Sequence, residues 1–257
     1  MRLRTHALII VVAAALFAGA ATWLIRWPGF RVGAIDVVGA HVVSRQAVIA
    51  RAHIDPTANV WLLDLAPVRR RIEALPYVAT VRVHRSFPAQ VAIDVTERTP
   101  DGCLRRSDGS TATIDRTDRV LDANCITTSL PQYDPKHVVV GAVGTFVTDP
   151  RLRRLQRESH ELAHPESFTR FWFDRFGGFE ASLPSGVTIR FGADGEIAEK
   201  EALIAPILQA QGRPLRSVLA LDLRIAAEPV VVYRDASITR TAKPQHIQDL
   251  GGANHNI

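Results

Sequence analysis

His160, Glu161 and His164 stand in the literal order His160-Glu161-Leu162-Ala163-His164, the arrangement of residue types in this chain best suited to hydrolytic chemistry. On a helix this spacing puts two imidazoles one turn apart, able to hold zinc, with the glutamate as general base for a metal-bound water. The surroundings argue against that use. Pro165 follows directly, where a zinc-peptidase helix has to continue, and Glu158 and Glu166 are charged where such sites run apolar. The position at which a third histidine would be sought holds Arg170, and Glu180 is only a distant carboxylate. There is no nucleophile elbow, phosphate-binding glycine loop or cluster of cysteine and histidine ligands. The sequence therefore predicts no catalytic, cofactor or metal site.

Cys103 and Cys125 are the only cysteines, and they flank a segment rich in turn residues, Ser107-Asp108-Gly109-Ser110 and Asp115-Arg116-Thr117-Asp118. In an oxidising compartment the pair could close a hairpin. Two separate buried thiols fit the sequence equally well, because the choice depends on whether the strands bring the Cβ atoms within about 4.5 Å.

The elements that position these residues follow from periodicity. Apolar residues at 79, 81, 83 and at 91, 93, 95 alternate with polar ones, as half-buried antiparallel strands require, and Arg85-Ser86-Phe87-Pro88-Ala89 is the hairpin connection. Upstream, Leu65, Val68, Ile72 and Leu75 recur at helical spacing until Pro76. Ile35–Gly39 reads as a strand, and Ser44 as the N-cap of a helix over Arg45–Ala52. The order β-α-α-β-β makes a small sheet with helices on one face.

The N-terminal run from Ala7 to Ile25 carries no charge. As a helix rising roughly 1.5 Å per residue it spans nearly the roughly 30 Å of a bilayer's hydrocarbon layer. Arg2 and Arg4 precede it, and Trp23 and Trp27 suit its outer interface. A cleaved signal peptide is the competing reading, with Ala18-Gly19-Ala20 as its cleavage site. The apolar run continues past that site to Ile25, so an uncleaved anchor is expected, with the N-terminus inside and Trp27 onward outside the cytoplasm. The 257 residues, 47% hydrophobic, suffice for one or two packed domains beyond the span. The net charge of +5 is spread along the chain. Its densest run, Arg151–Arg157, keeps leucines at helical spacing and reads as a solvated helix face. No stretch interleaves basic and stacking aromatic residues, which argues against nucleic acid.

Three blocks resemble a known family: F-R-V-G-A-I-D-V-V-G-A-H-V-V-S, N-V-W-L-L-D-L and L-P-Y-V-A-T-V-R-V-H-R-S-F-P-A-Q-V-A-I-D-V-T-E-R-T-P. They are similar to the POTRA domain of the FtsQ/DivIB bacterial cell-division proteins. The specific residues are Leu75-Pro76-Tyr77, Arg85, Pro88 and Glu97-Arg98-Thr99-Pro100. The resemblance extends more weakly through L-P-S-G-V-T-I-R-F-G, E-K-E-A-L-I with Lys200, and L-D-L-R-I-A-A-E-P-V-V-V-Y-R. The family's Asp-x-x-Gly turn is replaced by Asp115-Arg116-Thr117-Asp118, which puts the geometry of that turn in doubt.

In the second half, helices are expected over Asp149–His164 and Glu196–Gln211, the latter kinked or restarted at Pro206. Strands are expected at Thr111–Asp115, Val120–Asp122, Phe168–Phe173, Phe179–Leu183, Val187–Phe191, Val218–Ile225 and Pro229–Arg234. The predicted fold is α+β: a short cytoplasmic tail (1–6), a transmembrane helix (7–25), a βααββ POTRA domain (30–98), a strand-rich β domain with helices (99–235) and an unstructured tail (236–257).

What the resemblance implies is a non-enzymatic, single-pass scaffold of the bacterial inner membrane at the division septum. It would recruit other division proteins, small bitopic ones of the FtsB/DivIC and FtsL types, by strand addition at an exposed edge. Val230, Val231, Val232, Tyr233 and Arg234 form the last predicted strand before the tail, so the partner is placed there, with Tyr233 and Arg234 meeting its side chains. A membrane-tethered zinc peptidase using His160, Glu161 and His164 is the alternative. A secretion component is held in reserve, weakened by the presence of one POTRA copy and no barrel strands.

Overall fold

The computed structural model describes residues 2–241 apart from 26, 128, 194, 213 and 235–238, and no side chain at 2–9, 21, 24, 25 or 239–241. It divides into two compact units, Met1–Thr99 and Pro100–Ile257.

The first unit opens with helix α1 (Arg2–Ile25). Ile10, Val11, Val12, Leu16 and Phe17 on it are all exposed. Among the described residues no helix is long and apolar enough to cross a membrane. After a 3₁₀ turn at Pro28–Phe30 come β1 (Ala34–Val38), α2 (Arg45–Ala52), α3 (Leu65–Glu73), β2 (Val78–Ser86) and β3 (Gln90–Glu97). Side chains cap both later helices, Ser44 as the sequence suggests and Asp64 in addition. Ser44 Oγ accepts from the Ala47 amide at 3.1 Å, and Asp64 Oδ1 from the Ala66 amide at 3.0 Å. β3 is the central strand, antiparallel to β2 and parallel to β1. Val48, Ala52, Val68 and Ile72 from the helices close on Val81, Val91, Ile93 and Val95 of the sheet as one core.

The second unit is a single mixed sheet of ten strands rather than scattered hairpins. In order along the chain they are β4 (Pro100–Arg105), β5 (Thr111–Asp115), β6 (Val120–Asp122), β7 (Gln132–Asp134), β8 (Arg170–Phe173), β9 (Phe179–Ser182), β10 (Thr188–Gly192), β11 (Val218–Asp222), β12 (Val230–Tyr233) and β13 (Thr239–Thr241). Across the sheet they run β13-β12-β11-β10-β9-β8-β7-β4-β5-β6. The parallel pairs β7/β8 and β10/β11 need crossovers, and helices α4 (Pro150–His160) and α5 (Ile197–Ala210) supply them. Leu152 and Leu155 of α4 and Ile204 and Leu208 of α5 share one core with Tyr133, Phe171, Phe179 and Phe191. The neighbouring rings stand 5.3–5.8 Å apart along Tyr133, Phe171, Phe179 and Phe191, within the range in which aromatic pairs add to burial.

Three expectations are corrected here. Helix α4 ends at His160 with Glu161 as its C-cap, not at His164, because Pro165 opens a new 3₁₀ turn and residues 161–164 are needed to reach it. Helix α5 runs unbroken through Pro206. Pro206 and Ala202, four residues before it, both lie on the exposed side, so the carbonyl deprived of its donor faces water. Third, part of the C-terminal tail is ordered: Thr239–Thr241 is a strand, with 242–257 outside the described residues.

The turn between β5 and β6 forms without the family's glycine. Asp118 takes the left-handed backbone itself, with φ 65°. Asp115 Oδ1 accepts from the Thr117 amide and hydroxyl, both at 2.8 Å, and from the Arg119 amide at 2.9 Å. Cys103 and Cys125, left open by the sequence, are joined in a disulfide across a separation of 22 residues, with Cα atoms 5.5 Å apart. Closing a loop of that size restricts the unfolded chain by about 3 kcal/mol. Reduction should therefore lower the thermal midpoint of the second unit and leave that of the first unchanged, and calorimetry with and without dithiothreitol reads both.

Candidate partner-binding edge

In the first unit the residues that carry the family pattern hold loops by backbone carbonyls and amides. Arg85, on β2, donates through Nε to the Val60 carbonyl at 2.8 Å and through Nη2 to the Leu63 carbonyl at 2.7 Å. Arg98 donates through Nε to the Val78 carbonyl at 3.0 Å. Glu97, at the end of β3, receives the amides of His41, Val42 and Val43 at 2.8–3.0 Å and so fastens the β1–α2 connection. Burial pushes the Glu97 carboxyl up, but these three amides outweigh it and hold the group below its ordinary value of 4.5. The stabilisation is therefore complete above 4.5 and lost as pH falls through the lower folded value.

The His-Glu-x-x-His residues are not brought together. His160 Nε2 lies 2.9 Å from Asp101 Oδ1 on β4. Asp101 also accepts from Arg116 Nε at 3.2 Å, Tyr133 Oη at 3.0 Å and Gln156 Nε2 at 3.1 Å, so its buried carboxylate fastens α4 to the sheet. Burial first, and then the Asp101 charge, push the Tyr133 hydroxyl to a higher pKa. His164 sits beyond the helix end, its Nδ1 3.3 Å from Glu166 Oε1, and its amide donates to Glu201 of α5 at 3.0 Å. Among the described residues no group of three or more histidine, cysteine, aspartate or glutamate side chains is placed to hold a metal ion.

The strand expected to receive a partner is β12, and its surroundings differ from expectation in two ways. Its outer edge is covered. β13 lies antiparallel to it, with Val230 opposite Thr241, Val231 opposite Arg240 and Val232 opposite Thr239. The sequence concealed this because Thr239-Arg240-Thr241 is too short and polar to show a period. Tyr233, moreover, is a core residue, 6% exposed, with its hydroxyl donating to Gln211 Oε1 at 2.7 Å. Its ring packs into the core instead of standing on the exposed side of the strand. Four consecutive apolar residues hide which face is inward, and only the pleat reveals it: Val231 and Tyr233 point into the core, Val230 and Val232 to the half-buried opposite face. Arg234 is exposed and donates through Nε to the Arg216 carbonyl at 2.9 Å.

Residues 30–98 match the family described as POTRA domain, FtsQ-type. With its βααββ order and its loop-holding Arg85, Glu97 and Arg98, the first unit is a POTRA domain. The chain is 40% identical over 96 residues to the cell division protein FtsQ of Syntrophotalea carbinolica, covering 37% of this chain and 33% of that protein. It is 31% identical over 101 residues to FtsQ of Corynebacterium glutamicum (39% and 44%), and 26% identical over 209 residues to FtsQ of Mycobacterium tuberculosis (80% and 64%). Over residues 30–98 the chain carries an FtsQ-type POTRA domain, and it is similar to cell division proteins FtsQ, of whose lengths the matches span only about a third to two thirds.

Two outcomes check the geometry. Glu97→Gln should cost about 2 kcal/mol at pH 7, the scale of hydrogen bonds to a charged group. Its stability should then fall less than the native chain's between pH 6 and pH 3, read by urea melts. Tyr233→Ala should lower the thermal midpoint of the second unit through a cavity worth about 3 kcal/mol, whereas Tyr233→Phe loses only the bond to Gln211.

Proposed function

We propose that this chain is a non-enzymatic scaffold of bacterial cell division. In this reading α1 anchors it in the cytoplasmic membrane, with the N-terminus inside and both folded units outside. The backbone edge of β12 captures an extended segment of a small bitopic division protein of the FtsB/DivIC type. The observation that carries the reading is the weak closure of that edge. β12 joins the ten-stranded sheet through a four-residue register with β11, yet on its outer side it holds only the three-residue β13. Each added strand offers the same ladder of backbone hydrogen bonds, so a longer partner strand gains pairs where β13 has three. The FtsQ-type POTRA domain and the similarity to FtsQ cell division proteins support the division role, and the Cys103–Cys125 disulfide suits an oxidising compartment outside the cytoplasm. The apolar side chains exposed along α1 suit a lipid environment.

Corrected for the inward position of Tyr233, the partner meets Val230 and Val232 and the backbone between Val230 and Arg234. Chains ended after Arg234 should capture small bitopic division proteins from membranes several-fold better, because the competing strand is gone. The double substitution Val230→Lys, Val232→Lys should weaken capture at least tenfold with a thermal midpoint within a few degrees of the native one. Unchanged capture by both variants overturns the edge as the binding site.

A further inference from the structure

Three exposed apolar side chains in the POTRA domain have no role in its core: Trp61 (44% exposed), Leu62 (63%) and Phe87 (78%). They come from different places in the sequence, on two loops that lie side by side at one end of the domain. Trp61 and Leu62 lie in the connection before α3, and Phe87 is in the β2–β3 hairpin. Arg85 bonds that hairpin to the carbonyls of Val60 and Leu63. The segment that leaves α1 is laid against the same two loops. The Val60 amide donates to the Phe30 carbonyl at 2.8 Å, the Val32 amide to Ala58 at 3.2 Å, and the Gly33 amide to Ala89 at 2.8 Å.

The tether is short. From Ile25, the last residue of α1, to Phe30 there are five steps of chain, roughly 18 Å if fully extended, and Pro28–Phe30 is wound into a 3₁₀ turn that shortens it. Aromatic residues line this path as well. Trp23 and Trp27 meet edge to face, with ring centroids 4.5 Å apart. The Trp27 ring folds back over Gly29, where a Cβ would stand 2.6 Å from its Nε1. Trp23, Trp27, Trp61 and Phe87 thus make a succession of amphipathic or apolar rings from the end of α1 onto the domain surface. This is the composition of a membrane–water interface, where rings settle at the headgroup level.

We propose that the POTRA domain is seated on the bilayer, with Trp61, Leu62 and Phe87 dipping into the boundary between headgroups and acyl chains. The seating rests on the reading of α1 as a membrane anchor. It fixes the domain's direction. β1 starts at Ala34, opposite Gln90, and ends at Val38, opposite Asp94. The far end of the sheet, where Glu97 holds His41–Val43, therefore points away from the lipid by the length of the strand, roughly 16 Å.

The full chain in phosphatidylcholine vesicles tests this, with single-tryptophan variants retaining only Trp61 or only Trp23. Lipids brominated near the headgroup end of the acyl chain should quench Trp61 emission at least twofold, with Trp23 quenched as well. Quenching of Trp23 but not Trp61 overturns the seating and leaves the anchor standing. Quenching of neither overturns both. The native chain, with all four tryptophans in place, provides a second measurement that does not depend on the variants folding. A photoactivatable lipid should label peptides containing residues 59–63 and 85–89 at least fivefold more than residues 40–43, and equal labelling overturns the proposal.

Discussion

An open sheet always ends in two rows of backbone groups with no strand to bond, and the second unit is arranged around that constraint. Each strand from β8 to β12 covers the edge of the one before it and leaves its own edge in turn. At one end β6, three residues long, is bonded on its outer side by the segment 144–147, with the Val120 amide donating to the Thr145 carbonyl at 2.9 Å and the Gly144 amide to the Val120 carbonyl at 2.8 Å. At the other, β13 is equally short and lies between segments of the tail outside the described residues. Short edge strands limit indiscriminate pairing. They also leave that end of the sheet in reach of a longer competitor.

The POTRA domain was legible in the sequence because its signals are local and mutually consistent. Alternation over 79–83 and 91–95 gives both strands of the hairpin, and Ser44 caps the helix it was expected to cap. The matched residues Arg85, Glu97 and Arg98 were recognisable as a pattern, but their work was not. Each holds a loop through backbone groups, and a backbone carbonyl or amide leaves no mark on residue type.

The second unit was harder to read for physical reasons. β7 and β13 have three residues each, below the length at which a period of two can be seen. Val230–Tyr233 is apolar throughout, so its inward and outward faces can be told apart only from the pleat. His160 and Asp101 are 59 residues apart in sequence, so their pairing, which gives the first histidine of His-Glu-x-x-His a structural use, follows only from the fold. Asp118 supplies the left-handed turn residue where the family has glycine, a conformation that aspartate tolerates better than most side chains.

From β7 to β13 the spatial order of the strands is their order along the chain. A polypeptide delivered from its N-terminal side can lay down each of these strands against one already present, so growth proceeds in one direction and the row beside β12 is the last to be completed. The hairpins β8/β9, β9/β10 and β11/β12 close locally, whereas the parallel pairs β7/β8 and β10/β11 must each close around a helix and are the slower steps. The β12 side of the sheet is thus its growing end, and the short β13 is the final increment of a progression that starts at β7.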